Sequence, residues 1–369
     1  MECTLRTFEL PLARPLDTAA GAIETRRGVA IRVRDASGVG VGEATPLAGW
    51  TESYADCRAA LTAVADADDP ALSLPSESVP SLPSESVPLL ADERLRTCPA
   101  ARHGLSLAIA DHSARVAGIP LYRHLGGEES VRRVRANATI GDADVPTTVV
   151  AAADAIDAGF TSLKLKVGAR PVEDDVERLG RVRDAVGPAV ELRADANGAW
   201  SREQARRAFD GFASLDVAYV EQPLPADDVS GHAALCDSSV GVALDEALTG
   251  RSVDELEACF AVADVVIVKP MALGGVDRAI DVARRALAAG LVPVVTTTVD
   301  AVVARTAAVH VAAALPDRPA CGLATASLLA RDLSRDPAPV DDGSIRVPQS
   351  PGIGTLGPWG VPAGEVTDR

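Results

Sequence analysis

From residue 134 onward the chain repeats one pattern eight times: a short apolar run, then a longer stretch. The runs are 134–140, 162–167, 190–194, 217–220, 240–244, 265–268, 292–297 and 321–324. Helical stretches separate them, for example 174–186, 202–212 and 276–289. Alternating strand and helix implies a parallel sheet with right-handed crossovers. Eight such units point to a closed barrel rather than an open sheet, so the expected fold is α/β, a TIM-like (β/α)7–8 barrel.

The first 127 residues read differently. Strands are expected at 4–10, 29–34 and 39–44, with a polar loop at 14–27 that contains Gly21 and a turn at Ser37-Gly38. Helical spacing follows at 51–68 and 99–117. The octapeptide at 73–80 recurs unchanged at 81–88, and its proline and serine content marks an exposed insertion rather than a solenoid. The expected division is an α+β capping domain at 1–127, a barrel domain at 128–336, and a Pro- and Gly-rich segment at 337–369 that returns to the cap.

Composition excludes several classes of function. A net charge of −16 argues against nucleic acid as a partner, because phosphate binding requires basic patches. The apolar runs are too short to span a bilayer, and the first residues lack a basic stretch followed by an apolar core, so neither membrane nor secretion is expected. Six scattered cysteines read as free thiols in a reducing cytoplasm. Five histidines without paired spacing send the search for a metal to the carboxylates. The acidic surface also suggests a salt-loving protein. Folding retained in dilute buffer but lost in molar KCl would refute that.

Lysine is nearly absent. Lysine and arginine number 36, and only Lys164, Lys166 and Lys269 are lysine. Arginine cannot lose its proton near neutral pH, whereas a buried amine can. The three are therefore candidates for amine chemistry. Strand alternation puts Lys164 and Lys166 on one side of the 162–167 run.

Successive runs end in Lys166, Asp195, Glu221, Asp245 and Lys269, spaced 29, 26, 24 and 24 residues apart, one βα unit each. In a barrel, the carboxyl ends of successive strands converge on the face where active sites form. Three carboxylates are thus expected between two amines. Magnesium, or manganese in its place, would suit such oxygen donors and would stabilise an enolate formed from a small-molecule carboxylate. One lysine on each side could then act as base or as charge stabiliser. Arg193 and Asn197 flank Asp195 at period two and would support it, while Glu246 should point away from the interior.

Several stretches carry a family resemblance: Leu163-Lys164-Leu165-Lys166, Arg193-Ala194-Asp195-Ala196-Asn197-Gly198, Val220-Glu221-Gln222-Pro223, Leu244-Asp245-Glu246 and Val268-Lys269-Pro270. With Gly42-Glu43-Ala44-Thr45-Pro46 they resemble the enolase superfamily over nearly the whole chain. Within it they are similar to the muconate-lactonizing subgroup, and there to the o-succinylbenzoate synthases. That resemblance implies a magnesium-dependent hydro-lyase of menaquinone biosynthesis, acting on 2-succinyl-6-hydroxy-2,4-cyclohexadiene-1-carboxylate. Lys166 would be the base, Asp195, Glu221 and Asp245 the metal ligands, and Lys269 the stabiliser of the enediolate. The 14–27 loop would close over the substrate. Thr296, Thr297 and Thr298, with 322–325, resemble later motifs of the family that contact substrate. The same lysine pair serves N-acylamino acid racemases, dipeptide epimerases and muconate cycloisomerases, and 321–325 lacks the aspartate pair with which dipeptide epimerases hold an amine. The sequence is compatible with a homo-oligomer.

Overall fold

The computed structural model describes residues 2–18, 21–66, 90, 92–127, 130–251 and 253–360. The octapeptide repeat lies outside the described residues. At the N-terminus β1 (Glu2–Thr18), β2 (Gly21–Arg34) and β3 (Val39–Ala44) form an antiparallel sheet in that order. Helix α1 (Tyr54–Ala65) begins where Ser53 caps the Asp56 amide. Helix α2 (Pro99–Val116) lies so close to β3 that a Cβ at Gly40 or Gly42 would collide with the carbonyl of Ala108 or Gly104. Val29, Ile31, Leu61, Leu105 and Ile109 fill the space between this sheet and its helices.

Residues 14–27 correct one expectation. They lie mostly in the paired arms of the β1–β2 hairpin rather than in a polar loop, with Leu16 opposite Ile23 after a register shift. The arms satisfy each other's main-chain groups whatever their side chains, so polarity did not prevent strand formation. Leu10 and Leu12 are buried against Ala301 and Leu329, and Leu16 and Ile23 pack beside them. The hairpin is thereby fastened over one side of the barrel mouth.

The barrel begins with a divided run. β4 (Arg133–Arg135) pairs with a C-terminal hairpin, and only β5 (Ala138–Ile140) enters the parallel sheet. There follow β6 (Ser162–Lys166), β7 (Glu191–Asp195), β8 (Val217–Glu221), β9 (Gly241–Leu244), β10 (Val265–Val268) and β11 (Val292–Val295), each beside the next. A two-residue segment completes the circuit: Cys321 bridges Ala136, and Gly322 bridges Thr296. The Cys321 amide donates to the Arg135 carbonyl (2.9 Å) and the Gly322 amide to the Val295 carbonyl (2.9 Å). The eighth run is thus shorter than its apolar stretch suggested. Seven helices follow the seven strands in turn: α3 (Val145–Asp157), α4 (Val172–Val186), α5 (Arg202–Ala213), α6 (Val229–Ala233), α7 (Val253–Phe260), α8 (Val276–Ala288) and α9 (Val302–Ala313). Local signals set their starts, including an Asp144 cap on α3 and a Ser201–Gln204 capping box on α5.

The C-terminal hairpin consists of β12 (Val340–Asp341) and β13 (Ser344–Arg346). Beyond it the chain reaches the N-terminal layer. The Ile353 amide donates to Asp111 (2.7 Å), and Arg6 and Arg32 lie over the Trp359 ring. All six cysteines are unpaired. Among the described residues no helix is long and apolar enough to cross a membrane.

Glu43 links the two layers. Its carboxylate accepts from the Ala301 and Ala304 amides at the start of α9 (2.8 and 2.9 Å) and from the Thr45 hydroxyl. Burial, and then the charge of Asp300, push this carboxyl up to about 7. A folded value above the unfolded one means stability is fully present below about pH 4.5 and is lost as pH rises through about 7. The shift corresponds to about 3 kcal/mol. Melting curves from pH 5 to 8 should therefore show a decline that is shallower in Glu43→Gln. Equal slopes in the two proteins would remove Glu43 as its source.

Candidate active site

Strand alternation builds one wall of the site. Leu163 and Leu165 are buried behind β6, while Lys164 and Lys166 extend into the barrel mouth. The register sets Lys166 beside Asp195 and Asp195 beside Glu221, so consecutive strand ends lie at one level. Lys164 Nζ donates to Asp195 Oδ2 (2.9 Å) and to both oxygens of Glu221 (2.9 and 2.8 Å). Lys166 Nζ donates to Asp195 Oδ2 (2.8 Å) and Asn197 Oδ1 (2.6 Å). On the far wall, Lys269 Nζ donates to Asp245 Oδ2 (2.5 Å) and lies 3.2 Å from the centre of the Trp50 ring. Both lysine walls and the three carboxylates between them are brought together.

Burial sets the electrostatics. Asp195, Glu221 and Asp245 are each at most 3% exposed. Burial would raise Asp195, but the Lys164 and Lys166 ammonium groups overcome it and hold this carboxyl far below its ordinary value. Glu221 has Asp195 as a like-charged neighbour, and burial with that charge pushes it up to about 8. Burial likewise raises Asp245. Burial would lower Lys164, but Asp195 and Glu221 hold it well above the ordinary lysine value, so it stays charged.

The donor chemistry fits magnesium: buried carboxylates from neighbouring strands, oxygen only. Among the described residues no three acidic, thiol or imidazole groups converge as a ready-made ligand cluster. Each carboxylate is instead turned to an ammonium group, and a dication would compete with the lysines for the same oxygens.

The remaining candidates divide. Asn197 reaches the site, holding Lys166 with its oxygen and Glu246 Oε1 with its nitrogen (2.9 Å). Glu246 therefore does not point away. The chain leaves β9 in a short 3-10 turn at Glu246–Leu248, where strand alternation no longer applies. Arg193 lies one inward position below Asp195. It donates to Glu191 and to the Ala320 carbonyl (2.7 Å) and covers the Tyr219 ring, which makes it part of the barrel floor. The threonines stand at the rim. Thr296 donates to the Gly322 carbonyl (2.8 Å), Thr297 is 3.0 Å from the Thr325 hydroxyl, and Thr298 donates to Asp300 (2.6 Å).

Sequence reasoning missed Trp50 and Arg178. Trp50 had a signal, one of three tryptophans in a chain with 3% aromatic residues, placed directly after a glycine. Arg178 had none. In α4 it resembles a surface charge, yet it is fully buried, pairs with Asp175 (2.7 Å) and donates to the Lys166 carbonyl.

The model of the family described as enolase C-terminal domain-like matches residues 148–356, more than half of the chain. The chain belongs to the enolase superfamily. One superfamily relative, the L-Lys-D/L-Arg epimerase of Methylococcus capsulatus, is 31% identical over 96% of this chain and 98% of its own. The o-succinylbenzoate synthase of Thermobifida fusca is 40% identical, but over 48% of this chain and 56% of its own. Among solved structures, a dipeptide epimerase from M. capsulatus complexed with Mg and the dipeptide L-Arg-D-Lys superposes with a TM-score of 0.81. It is 29% identical and covers 96% of this chain and 98% of that one. Epimerase and synthase together fit the muconate-lactonizing subgroup of the superfamily.

Proposed function

We propose that the protein moves a proton at the α-carbon of a small carboxylate, as a racemase or epimerase of N-acylated amino acids. The observation that carries this reading is the pair Lys166 and Lys269 on opposite walls of one carboxylate-lined mouth. Such a pair can remove a proton from one face of a carbon and deliver one to the other. The full-length likeness to an epimerase supports the same reaction class. Residues 322–325, Gly-Leu-Ala-Thr, carry no acid to hold a free ammonium group, which favours an acylated nitrogen over a dipeptide.

Asp195, Glu221 and Asp245 would hold magnesium, which when bound supplies the positive charge that stabilises a substrate carboxylate as its α-proton leaves. The chain's own groups do the rest. Lys164 stays charged and donates to both Asp195 and Glu221. Lys166, oriented by Asn197, takes or gives a proton on one face, and Lys269 does so on the other. The β1–β2 hairpin, packed on Ala301 and Leu329, and the loop that carries Trp50 stand beside the mouth and would limit water around a bound substrate.

A second reading, o-succinylbenzoate synthesis, is favoured by the partial likeness to the T. fusca enzyme and by the same uncharged 322–325 segment. One assay separates the two. Purified protein with magnesium in molar KCl is given N-acetyl and N-succinyl amino acids in deuterated water, and separately the cyclohexadiene carboxylate. Deuterium entering the α-position of both enantiomers, with inversion, is the expected result. Magnesium-dependent loss of the cyclohexadiene absorbance without α-exchange would move the assignment to the synthase. Neither activity would sink both readings.

A further inference from the structure

We propose that Trp50 is a positioning residue for Lys269, and that it makes the two faces of the site unequal. The inference rests on the reading of Lys269 as one of two proton-transfer groups. Trp50 belongs to no barrel strand. It comes from the N-terminal layer, on a turn closed by three bonds: the Trp50 and Thr51 amides donate to the Leu47 carbonyl (3.0 and 2.9 Å), and the Leu47 amide donates to the Thr51 hydroxyl (2.9 Å). Gly49 takes φ +88° to make that turn, a backbone that a side chain would strain. The loop is thus built to present the residue after the glycine.

What it presents is an indole face over an ammonium. Lys269 Nζ lies 3.2 Å from the ring centre, and its side chain is 11% exposed. A cation over an indole in a largely desolvated place is the strongest form of this contact. The remaining side of the ammonium is taken by Asp245. Leu248, Ile267 and Leu273 line the same slot, so the amine has few other places to go. Lys166 is held differently. Its partners are Asp195 and Asn197, its side chain is 35% exposed, and among the described residues no aromatic ring covers it. Removing the indole should therefore take away one wall of the Lys269 slot, leaving that amine held by Asp245 alone, and leave Lys166 as it is.

The near-absence of lysine makes this directly observable. A protein labelled with ε-¹³C-lysine gives signals from three residues only, at 164, 166 and 269. Protons above an indole face are shifted upfield by the ring current. Wild-type protein with magnesium should show one upfield ε-CH2 signal that disappears in Lys269→Arg. That signal should return to the ordinary position in Trp50→Ala and stay shifted in Trp50→Phe. In deuterated water, Lys269→Arg also identifies the enantiomer whose α-proton faces Lys269. Trp50→Ala should slow exchange of that enantiomer by about tenfold, the order of one desolvated cation–π contact. Exchange of the opposite enantiomer should change by less than about twofold, and Trp50→Phe should restore most of the loss. An unshifted lysine signal in wild type, or an equal fall on both faces, would overturn the proposal. If wild type exchanges neither enantiomer while the signal still follows residue 50, the positioning stands and the racemase reading falls.

Discussion

Lys166→Arg should lower turnover roughly a thousandfold while leaving the fold and magnesium binding in place. General bases contribute about two to four powers of ten. The substitution keeps the positive charge that Asp195 and Asn197 now bind, at 2.8 and 2.6 Å, so the local ion pairing survives. It removes the ability to give up a proton near neutral pH. The stereochemistry sharpens the expectation. In deuterated water the variant should lose α-exchange from one enantiomer and keep it from the other, because Lys269 stands on the opposite wall. Circular dichroism and the melting temperature should match wild type. Turnover within a few-fold of wild type, or loss of exchange from both enantiomers to the same degree, would refute the role of Lys166 as a base on one face.

The convergence of these residues was legible in the sequence because a barrel translates sequence into space in a regular way. Short parallel strands spaced one βα unit apart put their last residues at one level, so Lys166, Asp195, Glu221, Asp245 and Lys269 could be read as one ring. Legibility ended where regularity ended. Glu246 follows a strand but sits in a 3-10 turn, so period two gave the wrong direction. Arg193 has the right side of the strand but the wrong height, and height is not encoded in alternation. The 14–27 stretch formed strands because its two arms pair with each other, a long-range satisfaction that local polarity does not report. The run at 134–140 divided because β13, more than 200 residues later, competes for its first half. Trp50 reaches the site only through the packing of one layer on another, which no single-element rule describes.

Asp195→Ala should abolish magnesium-dependent activity and the magnesium-induced rise in melting temperature together. Asp195 lies between the other two proposed functions of the site: it accepts from both Lys164 and Lys166 and stands beside Glu221 on the next strand. Its removal takes one of three oxygen donors from the metal and one of two carboxylate partners from Lys164. The remaining charges then work against binding. Lys164 and Lys166 would lose the carboxylate they share, and a dication would have to enter a site with one negative charge fewer. Magnesium affinity measured by calorimetry should fall by at least about a hundredfold, on the order of a few kcal/mol. Asp195→Asn tests charge at nearly constant shape. It should behave like the alanine variant if charge decides, and lie close to wild type if volume decides. Wild-type turnover that proceeds without magnesium, or an Asp195→Ala protein with an unchanged metal requirement, would count against Asp195 as a ligand. The Lys164 interaction makes a structural explanation separable. A variant that lost only packing would melt earlier with and without magnesium by the same amount, whereas loss of a ligand removes the difference between the two curves.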